Sequence, residues 1–211
     1  MAGDALIVVF AKAPVPGNVK TRLIPALGAE GAALLHAALT ERALSTATAS
    51  GMDVLLCAAP DADHAFFRAC AEDFDVPLAG QLANADLGAR MLHALRQGLQ
   101  QYQHVLIVGA DCPSLTSHHL RAAARQLASH DVVIGPADDG GYVLIGAART
   151  EPQMFDAIEW GAHDVLARQR DALRRASLDW CEMETLWDVD RPEDLPRLRA
   201  LTPALEFFWP A

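Results

Sequence analysis

An unbroken apolar run near the start of the chain, residues 6–10 (LIVVF), constrains the fold more than any other feature. The run has strand length and is rich in β-branched residues, which is typical of a strand that is buried on both faces. Pro14, Pro16 and Gly17 follow it and exclude regular structure there. The sequence therefore predicts a central strand that leads into an open loop.

That loop contains all the lysine of the protein. Lys12 and Lys20 are the only two lysines among 17 basic residues, and Arg22 stands beside the second. An ammonium group is a compact charge with rotatable donors, which suits a polyanion such as a triphosphate. The grouping indicates phosphate binding, although two lysines can also fall near a terminus by chance. As an exposed loop residue, Lys20 is expected to contribute little to folding stability.

Composition limits the class of protein. The chain of 211 residues suits a single domain, 1–211, and its 52% of hydrophobic residues can form a large core. A net charge of −10 argues against nucleic-acid binding, which needs a basic face. The four scattered cysteines indicate reduced thiols in a cytoplasmic protein. No basic segment precedes the first apolar run and no run reaches 18 apolar residues, so neither a signal peptide nor a membrane span is predicted.

Predicted strands and helices alternate along the chain. Apolar runs predict strands at 53–58, 76–79, 104–109, 131–135, 142–147 and 178–183, and apolar periodicity predicts helices at 29–50, 87–102, 117–129 and 162–176. A further helix is predicted after Pro60, with Asp61 or Asp63 as its N-cap. Such alternation is typical of an α/β fold with a mainly parallel central sheet and helices on both faces. Ligands of these sheets bind beyond the carboxyl ends of the strands.

The first loop matches neither of the standard phosphate-binding signatures. Asn18 and Val19 precede Lys20, so the glycines of a P-loop are missing, and no G-x-G-x-x-G occurs. What remains is a looser cradle, in which Gly17 permits close approach of the backbone while Lys20 and Arg22 neutralise phosphate.

Asp111 follows the predicted strand 104–109, at the position where α/β enzymes place metal ligands. A carboxylate there suits Mg²⁺, which takes one or two carboxylates together with phosphate oxygens and water. The alternative is an ordinary turn aspartate that caps the next helix.

Two further acidic loops have competing explanations. The sequence 138–141 (DDGG) lies between two predicted strands, and a hairpin turn explains it as well as a ligand site does. Asp188 and Asp190 stand two apart before Pro192, which begins a short helix. Trp160 is predicted to pack in the core or at its rim, with stacking on a base as the alternative.

Four motifs in this order resemble a bacterial family of glycosyltransferase-like proteins, also described as radical-SAM/selenodomain-associated transferases: FAKAPVPGNVKTRL, VGADCPSL, GPADDGGYVLIG and WDVDRPEDL. The resemblance covers residues 6–198. It implies a GT-A-like three-layer sandwich of the nucleotide-diphospho-sugar transferase superfamily. Relatives there include the 2-phospholactate guanylyltransferases and the molybdenum-cofactor nucleotidyltransferases.

The resemblance also implies roles for particular residues. Lys12, Gly17, Lys20 and Arg22 would wrap the nucleotide phosphates, and Lys20, Arg22 and Asp111 would be catalytic. Asp111 and Asp190 would bind Mg²⁺ or Mn²⁺. Asp139, Gly140 and Gly141 would line the acceptor pocket.

Three functions follow as hypotheses. The first is nucleotidyl transfer from an NTP to a small phosphorylated or hydroxylated acceptor. The second is glycosyl transfer from a nucleotide sugar; such enzymes usually present Asp-x-Asp at the metal, whereas this chain has Asp111-Cys112-Pro113. The third is a non-catalytic nucleotide-binding protein, in which the apolar segment Phe207-Phe208-Trp209 docks on its own core or on the second subunit of a homodimer.

Overall fold

The computed structural model describes residues 4–201 and residue 205, so the segment Phe207-Phe208-Trp209 lies outside the described residues. Within them, seven strands form one sheet. In chain order the strands are β1 (Ala5–Lys12), β2 (Asp53–Ala59), β3 (Leu78–Gly80), β4 (His104–Gly109), β5 (Val132–Pro136), β6 (Tyr142–Ala147) and β7 (Trp180–Glu182).

Most neighbouring strands of this sheet are parallel. Their spatial order is β3-β2-β1-β4-β6-β5-β7. Strand β6 runs antiparallel to both of its neighbours, β4 and β5, and the other four pairs are parallel. The predicted α/β fold with a mainly parallel sheet is confirmed, and the acidic loop 138–141 joins the two strands of a hairpin.

The helices cover both faces of the sheet. They are α1 (Ile24–Thr48), α2 (Ala65–Asp73), α3 (Leu87–Gly98), α4 (Ser117–Gln126), α5 (Val165–Arg175) and α6 (Leu195–Arg199). Short 3-10 turns occur at Thr21–Leu23, Pro152–Phe155 and Pro192–Asp194.

Alternate residues of β1 face opposite layers of the fold. Ile7 and Val9 pack with residues of α1, α2 and α4, whereas Leu6 and Val8 pack with residues of α3 and α5. All four side chains are at most 7% exposed. A strand that is covered on both faces must be apolar throughout, so the position of β1 between β2 and β4 explains the first apolar run.

Helix α1 and the turn before it, Thr21–Thr48, are long and apolar enough to cross a membrane, with a mean hydropathy of 1.4. The side chains of Leu35, Leu39 and Leu44 on this helix are at most 1% exposed. They pack against buried residues from other elements of the protein. The hydropathy of α1 is therefore explained by its packing in the core.

The predicted N-cap of α2 was wrong. The helix begins at Ala65, and Nδ1 of His64 accepts the hydrogen bond from the N–H of Phe66. Asp61, one of the two predicted caps, instead accepts from the N–H of Asp63 within the preceding loop, at 2.9 Å. Asp61 thus stabilises the loop, and the helix begins too far along the chain for Asp61 to occupy its N-cap position.

Strands β1 and β4 end at the same edge of the sheet. Their parallel register pairs Phe10 with Gly109. The loop that carries Lys20 and the turn that carries Asp111 therefore leave the sheet side by side. This is the edge at which the sequence predicts a ligand site.

Leu106, in the middle of β4, is fully buried. Its replacement by alanine leaves a cavity between the sheet and the layer of α1, α2 and α4, so we expect the free energy of unfolding to fall by about 2–5 kcal/mol. Leu34→Ala is the matched control, because Leu34 on α1 is 61% exposed and its loss should change stability by less than about 0.5 kcal/mol. Urea unfolding followed by circular dichroism measures both changes. Equal losses in the two variants would contradict the assigned core.

Candidate active site

A cleft of about 700 Å³ opens at the carboxyl ends of β1 and β4. It is lined by five of the residues predicted to act there, Lys12, Lys20, Arg22, Asp111 and Asp190. The structure thus brings together three cations and two carboxylates that are far apart in the sequence. Their roles in binding and catalysis stay predictions.

A second cavity, of about 670 Å³, lies between β2 and α3. Its lining includes Gln81 and Arg90, which also line the cleft, but none of the predicted site residues. The two cavities are similar in size, so the cluster of opposite charges is what distinguishes the cleft as the candidate site.

Lys20 is buried, whereas the sequence predicts an exposed loop lysine. Its side chain is 4% exposed, and Nζ lies 2.9 Å from Oδ1 of Asp111. Nζ also donates a hydrogen bond of 2.5 Å to the carbonyl of Val189. The backbone of Lys20 is left-handed, with φ 47° and ψ 40°, a conformation that costs about 1–2 kcal/mol in a non-glycine residue. The predicted exposure of Lys20 is therefore wrong, and its removal would leave the Asp111 carboxylate without its ion-pair partner.

Asp111 has one buried and one accessible side. Its Oδ1 atom is buried, although 45% of the side chain is exposed, so the other oxygen faces the cleft. Burial raises the pKa of Asp111, but the charge of Lys20 and the nearby His36 outweigh burial and hold the pKa well below its usual range. Asp111 is therefore ionised.

The segment before α6 delivers Asp190 to the same cleft. The N–H of Val189 donates to the carbonyl of Asp111 at 2.9 Å, and the Val189 side chain is fully buried. Arg22 forms an ion pair with the carboxylate of Asp190. The N–H of Asp190 donates to Oδ2 of Asp194 at 2.9 Å. These contacts hold Asp190 beside the loop that follows β1.

Asp188 has different surroundings from Asp190. Burial and the neighbouring carboxylate of Asp139 raise the pKa of Asp188 to about 6, while the charge of Lys20 acts in the opposite direction. The two aspartates of this loop thus have different surroundings: Asp190 pairs with Arg22, and Asp188 lies near other carboxylates. The spacing Asp-x-Asp in the sequence could not distinguish them.

The hairpin loop has a structural reason for its glycines. Gly140 has a φ of 89°, and a Cβ there would lie 2.0 Å from the carbonyl oxygen of His163. Oδ1 of Asp139 accepts a hydrogen bond from the N–H of Gly141 at 2.8 Å. None of the residues that line the cleft comes from 139–141. The acceptor-binding role of Asp139, Gly140 and Gly141 stays a prediction.

The two remaining residues of the predicted cradle lie at the start of the loop. Lys12 is the last residue of β1 and its side chain is exposed. Gly17 has a φ of 84°, and within the described residues no atom lies closer than 4 Å to where its Cβ would be. Gly17 is conformationally suited to a turn, and its contact with a nucleotide stays a prediction.

The cleft is also lined by polar residues that were not predicted as site residues, among them His36, Gln81 and Arg90. His36 is 5% exposed, and its Nε2 lies 3.0 Å from the carbonyl oxygen of Lys12. Its place among the apolar residues of α1 fits the helical periodicity of a core residue. Its polarity within that stretch is the one signal by which it could have been found.

Residues 42–162, more than half of the 211, match a protein family described as uncharacterized proteins conserved in bacteria (DUF2064). The chain belongs to the DUF2064 family. It is 32% identical to a candidate nucleotide-diphospho-sugar transferase from Desulfovibrio desulfuricans G20; the match covers 94% of this chain and 88% of that one, with a TM-score of 0.83. No curated protein matches the sequence.

More distant solved structures share the fold of this DUF2064 protein. A nucleotidyl transferase from Methanothermobacter is 15% identical over 94% of this chain and 97% of its own, with a TM-score of 0.63. A CMP:2-keto-3-deoxy-manno-octonic acid synthetase in complex with CTP is 13% identical, over 95% and 99%, with a TM-score of 0.54. A Mycobacterium tuberculosis H37Rv protein in complex with manganese is 16% identical, over 93% and 98%, with a TM-score of 0.50. The structural neighbours thus include nucleotidyltransferases and candidate nucleotide-sugar transferases.

The two carboxylates of the cleft suit a divalent cation whose other coordination positions are filled by phosphate oxygens and water. Within the described residues, no group of three or more His, Cys, Asp or Glu side chains could hold a metal. Asp111 and Asp190 line the cleft together, and Asp111 is ionised. Mg²⁺ is commonly bound by one or two carboxylates, with phosphate oxygens and water completing its coordination. The donor set therefore suits a metal that arrives with phosphate groups.

The raised pKa of Asp188 predicts how stability depends on pH. Because its pKa is about 6 in the folded state and about 3.9 in an unfolded chain, the folded state binds more protons between these values. The contribution of Asp188 to the free energy of unfolding therefore decreases as pH rises between these two values. Partial solvent screening limits the effect to about 1–2 kcal/mol.

Asp188→Asn should remove that decrease, so the variant should gain stability relative to wild type between pH 4 and pH 7. Urea unfolding at several pH values in EDTA measures the difference. Asp138→Asn, on the neighbouring hairpin and with a half-exposed side chain, is the control. Identical pH profiles for Asp188→Asn and wild type would contradict the assignment.

Proposed function

We propose that this DUF2064 protein is a metal-dependent transferase that uses a nucleotide donor, and that it transfers a nucleotidyl group from an NTP to a small phosphorylated or hydroxylated acceptor. The observation that carries the proposal is the contact between Lys20 and Asp111, 2.9 Å apart, in a cleft at the carboxyl edge of the sheet. A buried cation and an ionised carboxylate at that edge suit a ligand that brings both phosphate and a metal.

The cations of the cleft support binding of phosphate. Lys12, Lys20 and Arg22 line one cleft of a protein whose net charge is −10. Local positive charge on an acidic protein favours a compact polyanion over a nucleic-acid strand, which needs an extended basic face. We assign the binding of the donor phosphates to these three residues, and Gly17 shapes the loop that follows β1.

Asp111 and Asp190 would hold a divalent cation, Mg²⁺ or Mn²⁺. When bound, such a cation supplies charge neutralisation on phosphate oxygens. One structural neighbour was determined with manganese, which is consistent with this choice. The contact of Arg22 with Asp190 and that of Lys20 with Asp111 keep both carboxylates compensated while no phosphate is bound.

In the proposed reaction an acceptor oxygen attacks the α-phosphorus of the NTP. A new bond forms between that oxygen and the α-phosphorus, and the bond from the α-phosphorus to the oxygen that bridges to the β-phosphate breaks. Pyrophosphate leaves with the electron pair of that bond, and a hydroxyl acceptor releases its proton to water. Lys20 and Arg22 stabilise the charge that accumulates on the phosphates. The protein accelerates such a transfer mainly by positioning and by electrostatic stabilisation. We assign the binding of the acceptor to Asp139, Gly140 and Gly141.

Glycosyl transfer from a nucleotide sugar is the second candidate, and the description of the Desulfovibrio relative favours it. Against it stands Asp111-Cys112-Pro113, which lacks the second carboxylate of an Asp-x-Asp site. A non-catalytic nucleotide-binding protein is the third, and the cleft with both carboxylates and the cations makes it the weakest.

Pyrophosphate release distinguishes these candidates. Each of ATP, CTP, GTP and UTP is incubated with Mg²⁺ and a panel of small phosphorylated and hydroxylated acids, and pyrophosphate is measured through pyrophosphatase. We expect release with one NTP that depends on an acceptor and is absent from Asp111→Asn, which keeps the shape of the side chain but not its charge. Release of nucleoside diphosphate from nucleotide sugars, with no pyrophosphate from any NTP, would establish the glycosyl reaction instead.

The metal assignment predicts a selective effect of Asp190→Ala. In wild type, an NTP with Mg²⁺ at 100 times its Kd should add about 2.7 kcal/mol of stability, which a thermal shift detects. Asp190→Ala should lose the part of the shift that EDTA abolishes in wild type. Asp131→Ala is the matched control, since Asp131 also pairs with an arginine, Arg149 at 2.8 Å, but lies outside the lining of the cleft. An equal Mg²⁺-dependent shift in both variants would refute the role of Asp190.

A further inference from the structure

One tryptophan, Trp160, lines the cleft. It is partly buried and lies in the loop between the 3-10 turn Pro152–Phe155 and α5. Its side chain packs at the rim of the core, against the layer that contains α3 and α5. The same side chain therefore contacts the core and borders the cleft.

The indole ring is fixed by the protein on one side and borders open space on the other. It is tilted against Phe155, with 6.3 Å between the ring centres. A Cβ on Gly88, in the first turn of α3, would lie 3.0 Å from the indole. A Cβ on Gly161, which also lines the cleft, would meet no atom of the described residues within 4 Å. Because the ring is already held in place, little conformational freedom is lost when a ligand packs on it.

The hairpin loop 138–141 supports the segment that carries Trp160. The N–H of Leu166 donates to the carbonyl of Gly140 at 2.9 Å, and the carbonyl oxygen of His163 lies 2.0 Å from where a Cβ of Gly140 would be. Residues 139–141 do not line the cleft, whereas Trp160 and Gly161 do. The hairpin thus contributes to the cleft by holding the segment 160–166 in place.

The indole N–H of Trp160 is an unused donor. It has no acceptor among the described residues, and it is not one of their buried unsatisfied atoms, so it is accessible from the cleft. By contrast, Nε1 of Trp180, which packs against the same layer, donates to Glu182 at 3.2 Å. A partly buried tryptophan usually has a partner for its N–H, so the free donor of Trp160 indicates that an oxygen of a ligand completes it.

The place of this segment in the fold assigns Trp160 to the acceptor. The strand order puts β4, with Asp111 after its end, between β1, which leads into the donor-binding loop, and the hairpin strands β6 and β5. The acceptor must approach the donor phosphates at Asp111 from the side that the donor loop does not occupy. That side is the one on which the hairpin holds the segment of Trp160.

We propose that Trp160 binds the acceptor, with its indole packed against a ring of the acceptor and its N–H donated to an oxygen of the acceptor. This role rests on the proposed function, because it takes the acceptor as the second substrate of the transfer. A flat indole covers a flat ring over a larger area than it covers an open chain. The proposal therefore selects ring-bearing molecules among the small phosphorylated acceptors.

Ring-bearing and open-chain phosphates test this choice. The probes are glucose 1-phosphate, phenyl phosphate and glycerol 3-phosphate. Each is titrated in Mg²⁺, with and without analogues of ATP, CTP, GTP and UTP that have a methylene group between the α- and β-phosphates. Saturation-transfer NMR measures the affinities, and thermal unfolding checks that each variant is folded. We expect at least one ring-bearing probe to bind wild type about tenfold or more tightly than glycerol 3-phosphate.

Two substitutions of Trp160 separate its ring from its N–H. Trp160→Leu loses both and should weaken the ring-bearing probe about tenfold or more. Trp160→Phe keeps an aromatic face and loses the donor, so the loss should be about two- to fivefold. Both variants should bind the NTP analogue as tightly as wild type does. Trp180→Leu and Trp180→Phe are matched controls, since Trp180 is also partly buried against the same layer but lies outside the cleft, and they should bind every probe like wild type.

Other results would contradict the proposal. If wild type binds ring-bearing and open-chain phosphates equally or binds neither, or if Trp160→Leu loses only thermal stability, the role of Trp160 is overturned and the proposed function is left intact. Loss of affinity for the NTP analogue alone in Trp160→Leu would place the indole on the base of the donor, which also overturns the role. If wild type binds no NTP analogue in Mg²⁺, the proposed function and the role of Trp160 are both overturned.

Discussion

The geometry of the cleft depends on the contacts that the ammonium group of Lys20 makes. This ammonium lies 2.9 Å from Asp111 and donates to the carbonyl of Val189 at 2.5 Å, so one buried charge joins the loop after β1, the end of β4 and the segment before α6. A buried cation needs such partners, since its transfer out of water is unfavourable without them. The left-handed backbone of Lys20 indicates that the loop is held in place by what its side chain reaches.

Two cations of the cleft are compensated by carboxylates. Lys20 pairs with Asp111 and Arg22 pairs with Asp190. Under the proposed function, a metal–triphosphate complex would bring the same two kinds of charge: phosphate oxygens would replace the carboxylates around the cations, and the metal would replace the cations around the carboxylates. Each charge of the cleft would then keep a partner of opposite sign, which a buried ionic site requires.

Local sequence patterns predicted the strands well and the contacts of the site poorly. Strands β4 (His104–Gly109) and β6 (Tyr142–Ala147) have the bounds that their apolar runs predicted, because burial on both faces demands such runs. The burial of Lys20 was not predictable, since its partner Val189 is 169 residues away. Periodicity placed His36 on a helix but could not reveal that its ring reaches Lys12 and Asp111. The meeting of Asp111 with Asp190 was suggested only by the family resemblance.

The antiparallel strand β6 explains how the distant acidic segment reaches β4. After β7 the chain continues along β5, where the N–H of Leu186 donates to Pro136 at 2.9 Å. Strand β6 lies between β5 and β4 and runs antiparallel to both, so it begins at the edge of the sheet where they end. The chain after β7 crosses that edge, and the N–H of Val189 donates to the carbonyl of Asp111 at 2.9 Å. Arg197 secures the crossing: its guanidinium lies 4.4 Å from the centre of the Trp187 ring and 2.9 Å from Asp138. Asp138 thus holds the crossing segment in place through Arg197. Its neighbour Asp139 instead contributes to the acidic surroundings of Asp188, so the two adjacent aspartates have different effects on the same segment.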